Sequence, residues 1–151
     1  MDAVTYPDET VISFINDNVV ALRIPADQQP LADKFEVSWT PALFLLDQDG
    51  RKHQATVGFL GPEEFIPSLL TGIGNMNFHR NSFTKALESY DTVITEHAES
   101  DAAPEAIFQK GVSLYKSTHD PKPLKEAYEH LLREYPESRW TKRAYPYRLI
   151  G

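Results

Sequence analysis

The sequence predicts a mixed α/β unit over residues 1–72 followed by an all-α unit of helical hairpins over residues 73–151. That class rests on three features of the chain. Short apolar runs at 19–24, 41–46 and 54–59 alternate with helical periodicity in the first half. Beyond Gly72 only helical periodicity broken by polar loops remains, which sets the boundary near residue 72. The second half also matches itself at a shift of 38 residues.

In chain order, Val11, Ile12, Phe14 and Ile15 follow the Asp8-Glu9-Thr10 cluster at helical spacing. Its side-chain oxygens and negative charge suit a helix start, so the pattern predicts a helix over 7–18. Residues 19–24 (Val-Val-Ala-Leu-Arg-Ile), bounded by Asn18 and Pro25, read as a buried strand. A brief helix is expected over 29–35. The run 41–46 begins at Pro41, where a missing N–H does least harm to a strand. Asp47-Gln48-Asp49-Gly50 then supplies a tight turn with Gly50 at positive φ, and the alternating run 54–59 returns as the second arm of a hairpin. The two aspartates invite comparison with a calcium loop, but the third acidic ligand and the terminal Glu are missing, so a plain turn is expected. Gly61-Pro62-Glu63-Glu64 opens a further helix with Phe65, Ile66, Leu69 and Leu70 on its apolar face.

In the second half Glu88/Glu126, Tyr90/Tyr128, Glu96/Glu134, Glu99/Glu137 and Ser100/Ser138 are identities at the shift of 38. Upstream, Gly74 and Phe78 match Gly111 and Tyr115 at 37, as a one-residue loop insertion around residues 119–123 would produce. This pattern resembles the tetratricopeptide repeat, which places a small residue and an aromatic on the first helix, an aromatic on the second and proline at the exit. Ala98 departs from it where proline is expected, and Leu124 where a small residue is. The resemblance implies two repeats whose small positions let paired helices approach, with Phe78, Tyr90, Tyr115 and Tyr128 in the core. A third copy begins at Arg139 and is stopped by Pro146, which makes it a capping helix. Any groove would lie on the exposed face of each first helix, around Asn77, Gln109 and Ser113.

The segment Val37-Ser38-Trp39-Thr40-Pro41-Ala42-Leu43-Phe44-Leu45-Leu46-Asp47 resembles the part of the thioredoxin fold in which a Val-x-x-Thr-Pro-Thr-like stretch precedes a strand and hairpin. The resemblance covers residues 1–72 and implies a cis bond before Pro41, with the Thr40 backbone pairing with an extended substrate. Trp39, Thr40 and Pro41 are thus the candidate peptide-binding residues. Trp39 is expected to cover the core; its exposure would instead mark a binding surface. Family members carry Cys-x-x-Cys at the start of the first helix, followed by Met-Asp and a Thr-Tyr-like segment. The opening Met1-Asp2-Ala3-Val4-Thr5-Tyr6 places the absent motif, and the strand leading into it, upstream of Met1. The fold class implied is therefore thioredoxin-like but incomplete, lacking its first central strand. Either Met1 is an internal methionine, the preferred explanation, or the chain is a cysteine-free variant. A missing middle strand leaves backbone groups unpaired. Compensation is expected by direct pairing of the two flanking strands or by pairing with another copy, a homodimer through the incomplete sheet. A solvent-exposed, unpaired 19–24 segment in a lone chain would overturn this.

Composition narrows the function. The net charge is −7 and the Lys and Arg are scattered, which argues against nucleic acid as a partner. No apolar run reaches the roughly 20 residues that cross a bilayer, and no signal peptide opens the chain, so a soluble, cytoplasmic protein with no membrane partner is expected. With no cysteine, the chain is redox-inactive and lacks thiolate nucleophiles, Fe–S clusters and thiolate zinc sites. The five His never fall three or four residues apart, so neither metal nor other cofactor is expected. Gly72-Ile73-Gly74 lacks the third glycine of a dinucleotide loop, and no hydrolase or transferase motif occurs. The expected function is a non-catalytic module that binds a protein or extended peptide. The alternative is a fragment of a thiol-disulfide oxidoreductase whose Cys-x-x-Cys lies upstream of Met1.

Overall fold

Asp8 starts the first helix, α1 (Glu9–Asn18): its carboxylate accepts the N–H groups of Thr10 (2.9 Å) and Val11 (3.1 Å). The cap needs extended backbone at Asp8, so α1 begins two residues after the expected position. Val11 is fully buried, while Ile12 on the same helix is 43% exposed. The computed structural model covers residues 1–151.

Residues 19–24 form no strand, which corrects the expectation of a buried one. Val20 is fully exposed and Leu22 is 81% exposed. An apolar, β-branched run becomes a strand only when a neighbour satisfies its backbone groups. The only sheet has two strands, neither of them from this segment. The expected pairing of 19–24 with 41–46 is absent, and the lone, exposed state of the segment is the condition that overturns the compensation argument.

Helix α2 (Leu31–Lys34) is a single turn, shorter than the expected 29–35. The Gln29–Pro30 and Thr40–Pro41 peptide bonds are both cis. Phe35, just past α2, stacks on Phe44 with ring centroids 5.1 Å apart. Strands β1 (Ala42–Leu46) and β2 (Lys52–Val57) pair antiparallel, Ala42 opposite Val57 and Phe44 opposite Ala55, with a bulge at Leu45/Leu46. The turn between them holds Gly50 at φ +76°, a left-handed conformation that glycine adopts without steric cost. The return strand begins two residues earlier than expected and ends before Gly58, whose φ is +108°.

Helix α3 (Pro62–His79) runs unbroken for 18 residues. The chain divides into the compact units Met1–Ile66 and Pro67–Gly151, so the division falls inside α3 and the expected boundary at residue 72 does not end an element. Gly72, at the expected boundary, and Gly74, the expected small position of the first repeat, are both buried helical residues. A Cβ on Gly74 would stand 2.4 Å from the Tyr90 ring, so the missing side chain makes room for the next helix.

The second unit continues with α4 (Phe83–Glu96), α5 (Ala103–Thr118), α6 (Lys122–Glu134), α7 (Arg139–Ala144) and a 3-10 turn (Tyr145–Leu149). One apolar cluster joins Ala86, Tyr90, Val93, Ala103 and Ala106; a second joins Ile107, Ala127, Leu131, Trp140 and Ala144. Val93 and Leu131, 38 residues apart, are each fully buried. Gly111 repeats the role of Gly74, since a Cβ there would meet the Ala127 Cβ at 2.7 Å and the Pro123 carbonyl at 2.9 Å. Tyr115 departs from the expected core set, being 39% exposed. Its counterpart Phe78 packs edge-on against Phe83 (5.9 Å), whereas residue 121, which matches Phe83, is a proline that offers no ring. Tyr128 is half-buried, edge-on to Tyr145. No helix is long and apolar enough to cross a membrane.

Candidate peptide-binding surface

The hairpin of the first unit sets its two ends apart chemically. At the open end the Gly58 N–H donates to the Pro41 carbonyl at 2.8 Å, extending the ladder one step past Ala42 and Val57. Trp39 and Thr40 therefore leave β1 where Phe59 and Leu60 leave β2. Trp39 is 71% exposed, Phe59 61% and Val57 55%; Thr40 is exposed and Pro41 half-buried. The expectation that Trp39 covers the core is thus corrected. Phe35 occupies that role through its stack on Phe44, which leaves the indole in solvent. The exposed rings and Val57 were not grouped by the sequence, because Trp39 and Phe59 lie 20 residues apart and only the hairpin register brings their segments to the same end.

At the turn end, Asp47 is nearly enclosed. Its side chain is 3% exposed and that of His53 7%. One carboxylate oxygen accepts the N–H groups of Asp49 and Arg51 (2.9 Å each), and the other lies 2.9 Å from His53 Nε2. The His53 hydrogen bond, followed by that of the Arg51 amide, holds the Asp47 carboxyl down at about 2. These contacts use both oxygens to build the turn.

The second unit places the groove candidates differently from the expected exposed face. Asn77 is half-buried and its amide donates to the Ile73 carbonyl of its own helix at 3.0 Å. Gln109 is half-buried, and Ser113 is fully buried, so Ser113 cannot contribute to an exposed face. The polar link between helices passes instead through Asn75: it accepts the Tyr90 hydroxyl at 2.8 Å and donates to Glu105 at 3.1 Å, tying α3, α4 and α5 together. Burial, reinforced by the Glu105 charge, pushes the Tyr90 hydroxyl far up. Asn75 and Glu105 were missed because neither belongs to the repeated positions.

No three His, Asp or Glu side chains converge as a metal-ligand set. Residues 1–66 carry eleven Asp and Glu against four Lys and Arg, a net charge of −7, while residues 67–151 carry eleven of each. The whole excess of negative charge therefore sits on the unit that bears Trp39. Comparison with protein-family models, with characterised proteins and with solved structures finds no match to this chain.

Proposed function

We propose that the chain is a non-catalytic protein- or peptide-binding module, thioredoxin-like in its first unit and tetratricopeptide-like in its second. The observation that carries this reading is the 71% exposure of Trp39, at the open end of the hairpin where Phe59 and Val57 are also exposed. Aromatic side chains supply large contact area for few rotatable bonds, and single buried indoles often dominate an interface. Thr40, exposed between Trp39 and Pro41, offers backbone groups to an extended segment lying against the ring. With no cysteine, the chain has no sulfur nucleophile for exchange with a bound disulfide, so holding a partner is the role left to this surface. For the second unit, support comes from Gly74 against Tyr90 and Gly111 against Ala127, two close helix approaches 37 residues apart.

Binding of a panel of fluorescently labelled extended peptides to the full chain, read by anisotropy, tests the reading. Trp39→Ala is expected to weaken the best binder by about 2 kcal/mol, close to 30-fold, with the circular dichroism spectrum unchanged. Equal affinity of Trp39→Ala and the parent chain would refute it, as would a panel in which nothing binds.

A further inference from the structure

Charge within the second unit is unevenly placed. Residues 67–137 carry eleven Asp and Glu against seven Lys and Arg, whereas residues 138–151 carry Arg139, Lys142, Arg143 and Arg148 and no acid. All four basic residues are exposed, and none takes part in the ion pairs of the chain. Carboxylates on the helices packed against α7 do not answer them. Glu105 of α5 accepts the Asn75 amide at 3.1 Å, Glu134 of α6 is held by Arg133 at 2.7 Å, and the exposed Glu126 and Glu129 pair with none of the four. Arg139 shares a shallow cleft with Glu99, Asp101 and Glu137, which offset it. Lys142, Arg143 and Arg148 remain. On α7 the apolar Trp140 and Ala144 are buried and the exposed positions are charged, so its outer face is not the packing face of a repeat.

Aromatic rings place the two guanidiniums. Arg148 lies over Tyr145, 3.9 Å from the ring centroid, and Arg143 over Trp140 at 4.9 Å; Trp140 in turn packs on Phe108 at 5.2 Å. A guanidinium laid on a ring keeps its in-plane N–H fork for a carboxylate and has less freedom to lose on binding. Apolar surface adjoins them. Tyr145 is 53% exposed and meets Tyr128 edge-on, and Leu132, one turn beyond Tyr128 on α6, is 49% exposed. We propose that Lys142, Arg143 and Arg148, with Tyr145 and Leu132, form a second docking surface, on the second unit, for a protein segment whose apolar centre is flanked by Asp or Glu. The partner's sign follows from three unpaired cations, and its apolar centre from the two exposed side chains. A nucleic acid or an anionic bilayer would bring many more negative charges against a chain of net charge −7. A short acidic segment feels little beyond the Debye length of about 8 Å.

Fluorescence anisotropy on the full chain tests this surface, with a labelled synthetic peptide that has a Leu-Phe core and Glu at both ends. Arg143→Gln combined with Arg148→Gln is expected to weaken binding at least about tenfold, and the same core ended in Lys is expected to bind the parent chain at least about tenfold more weakly. Trp39→Ala is expected to leave the affinity unchanged. A readout that needs no variant to fold is NMR of the arginine Nε–H groups: those of Arg143 and Arg148 are expected to shift on titration, while that of Arg133, held by Glu134, stays in place. Binding that moves neither Arg143 nor Arg148 would overturn the proposal, as would equal affinity of the double variant and the parent, or of the Glu-ended and Lys-ended peptides. Loss of binding in Trp39→Ala would assign the peptide to the first unit, overturning this surface and leaving the Trp39 reading intact. Tighter binding of single-stranded RNA or of anionic lipid vesicles than of the peptide would overturn a protein segment as the partner. Self-association of the parent chain that the double variant abolishes and that excludes the peptide would give the surface to a second copy and overturn the proposal. Failure of the Glu-ended peptide to bind would also overturn it, without bearing on the Trp39 test.

Discussion

Asp47 shows how one side chain can hold a turn together. Its carboxylate is ionised in the fold down to about pH 2, against a free-chain value near 4, because His53 and two backbone amides all favour the charged form. A depressed carboxylate contributes stability that is complete above the free-chain value and disappears as pH falls toward the folded one. Asp47→Asn is therefore expected to lower Tm at pH 7, and thermal melts of the variant and the parent should converge as pH drops from about 4 to about 2. Parallel curves across that range would show that Asp47 does not set the acid limb. Tyr90 is the corresponding residue in the second unit. Tyr90→Phe keeps the ring against Gly74 but leaves Asn75 without its donor, and is expected to cost about 1 kcal/mol in chemical denaturation. Neither contact was legible in the sequence, since Asp47 and His53 meet only across a folded hairpin and Asn75 sits one residue away from the repeated glycine.

Whole elements were legible where their signals are local. Asp8 announces α1, Pro62 with two following acids announces α3, and the repeat announces the small positions at Gly74 and Gly111. The 19–24 segment failed for the opposite reason: its apolar character is local, but a strand is made by its neighbours, and none lies beside it. The boundary near residue 72 was set by the end of the strand signals, and α3 runs across it; within that helix, a glycine that would break it and one that admits a neighbouring helix look alike in one dimension. Gly111→Ala separates those two roles. In an isolated helix the change is favourable by about 1 kcal/mol. Here the new Cβ meets the Pro123 carbonyl and the Ala127 Cβ, neither of which can rotate away, and overpacking of about 1–3 kcal/mol outweighs the gain. Net destabilisation of the second unit is expected in urea melts. Ala127→Gly in the same chain should recover part of it, whereas additive losses would show that the contact is not the cause.

Across the whole molecule, charge is divided as sharply as structure. The first unit holds −7 within 66 residues, and the second is balanced. Self-repulsion of that kind opposes the compact state and is screened by salt, the Debye length falling from about 30 Å at 0.01 M to about 8 Å at 0.15 M. Raising NaCl over that range is expected to slow exchange of the Leu43 and Leu45 amides in the hairpin and to leave the Val93 and Leu131 amides of the helical unit nearly unchanged. Equal responses in the two units would mean that net charge does not limit the first.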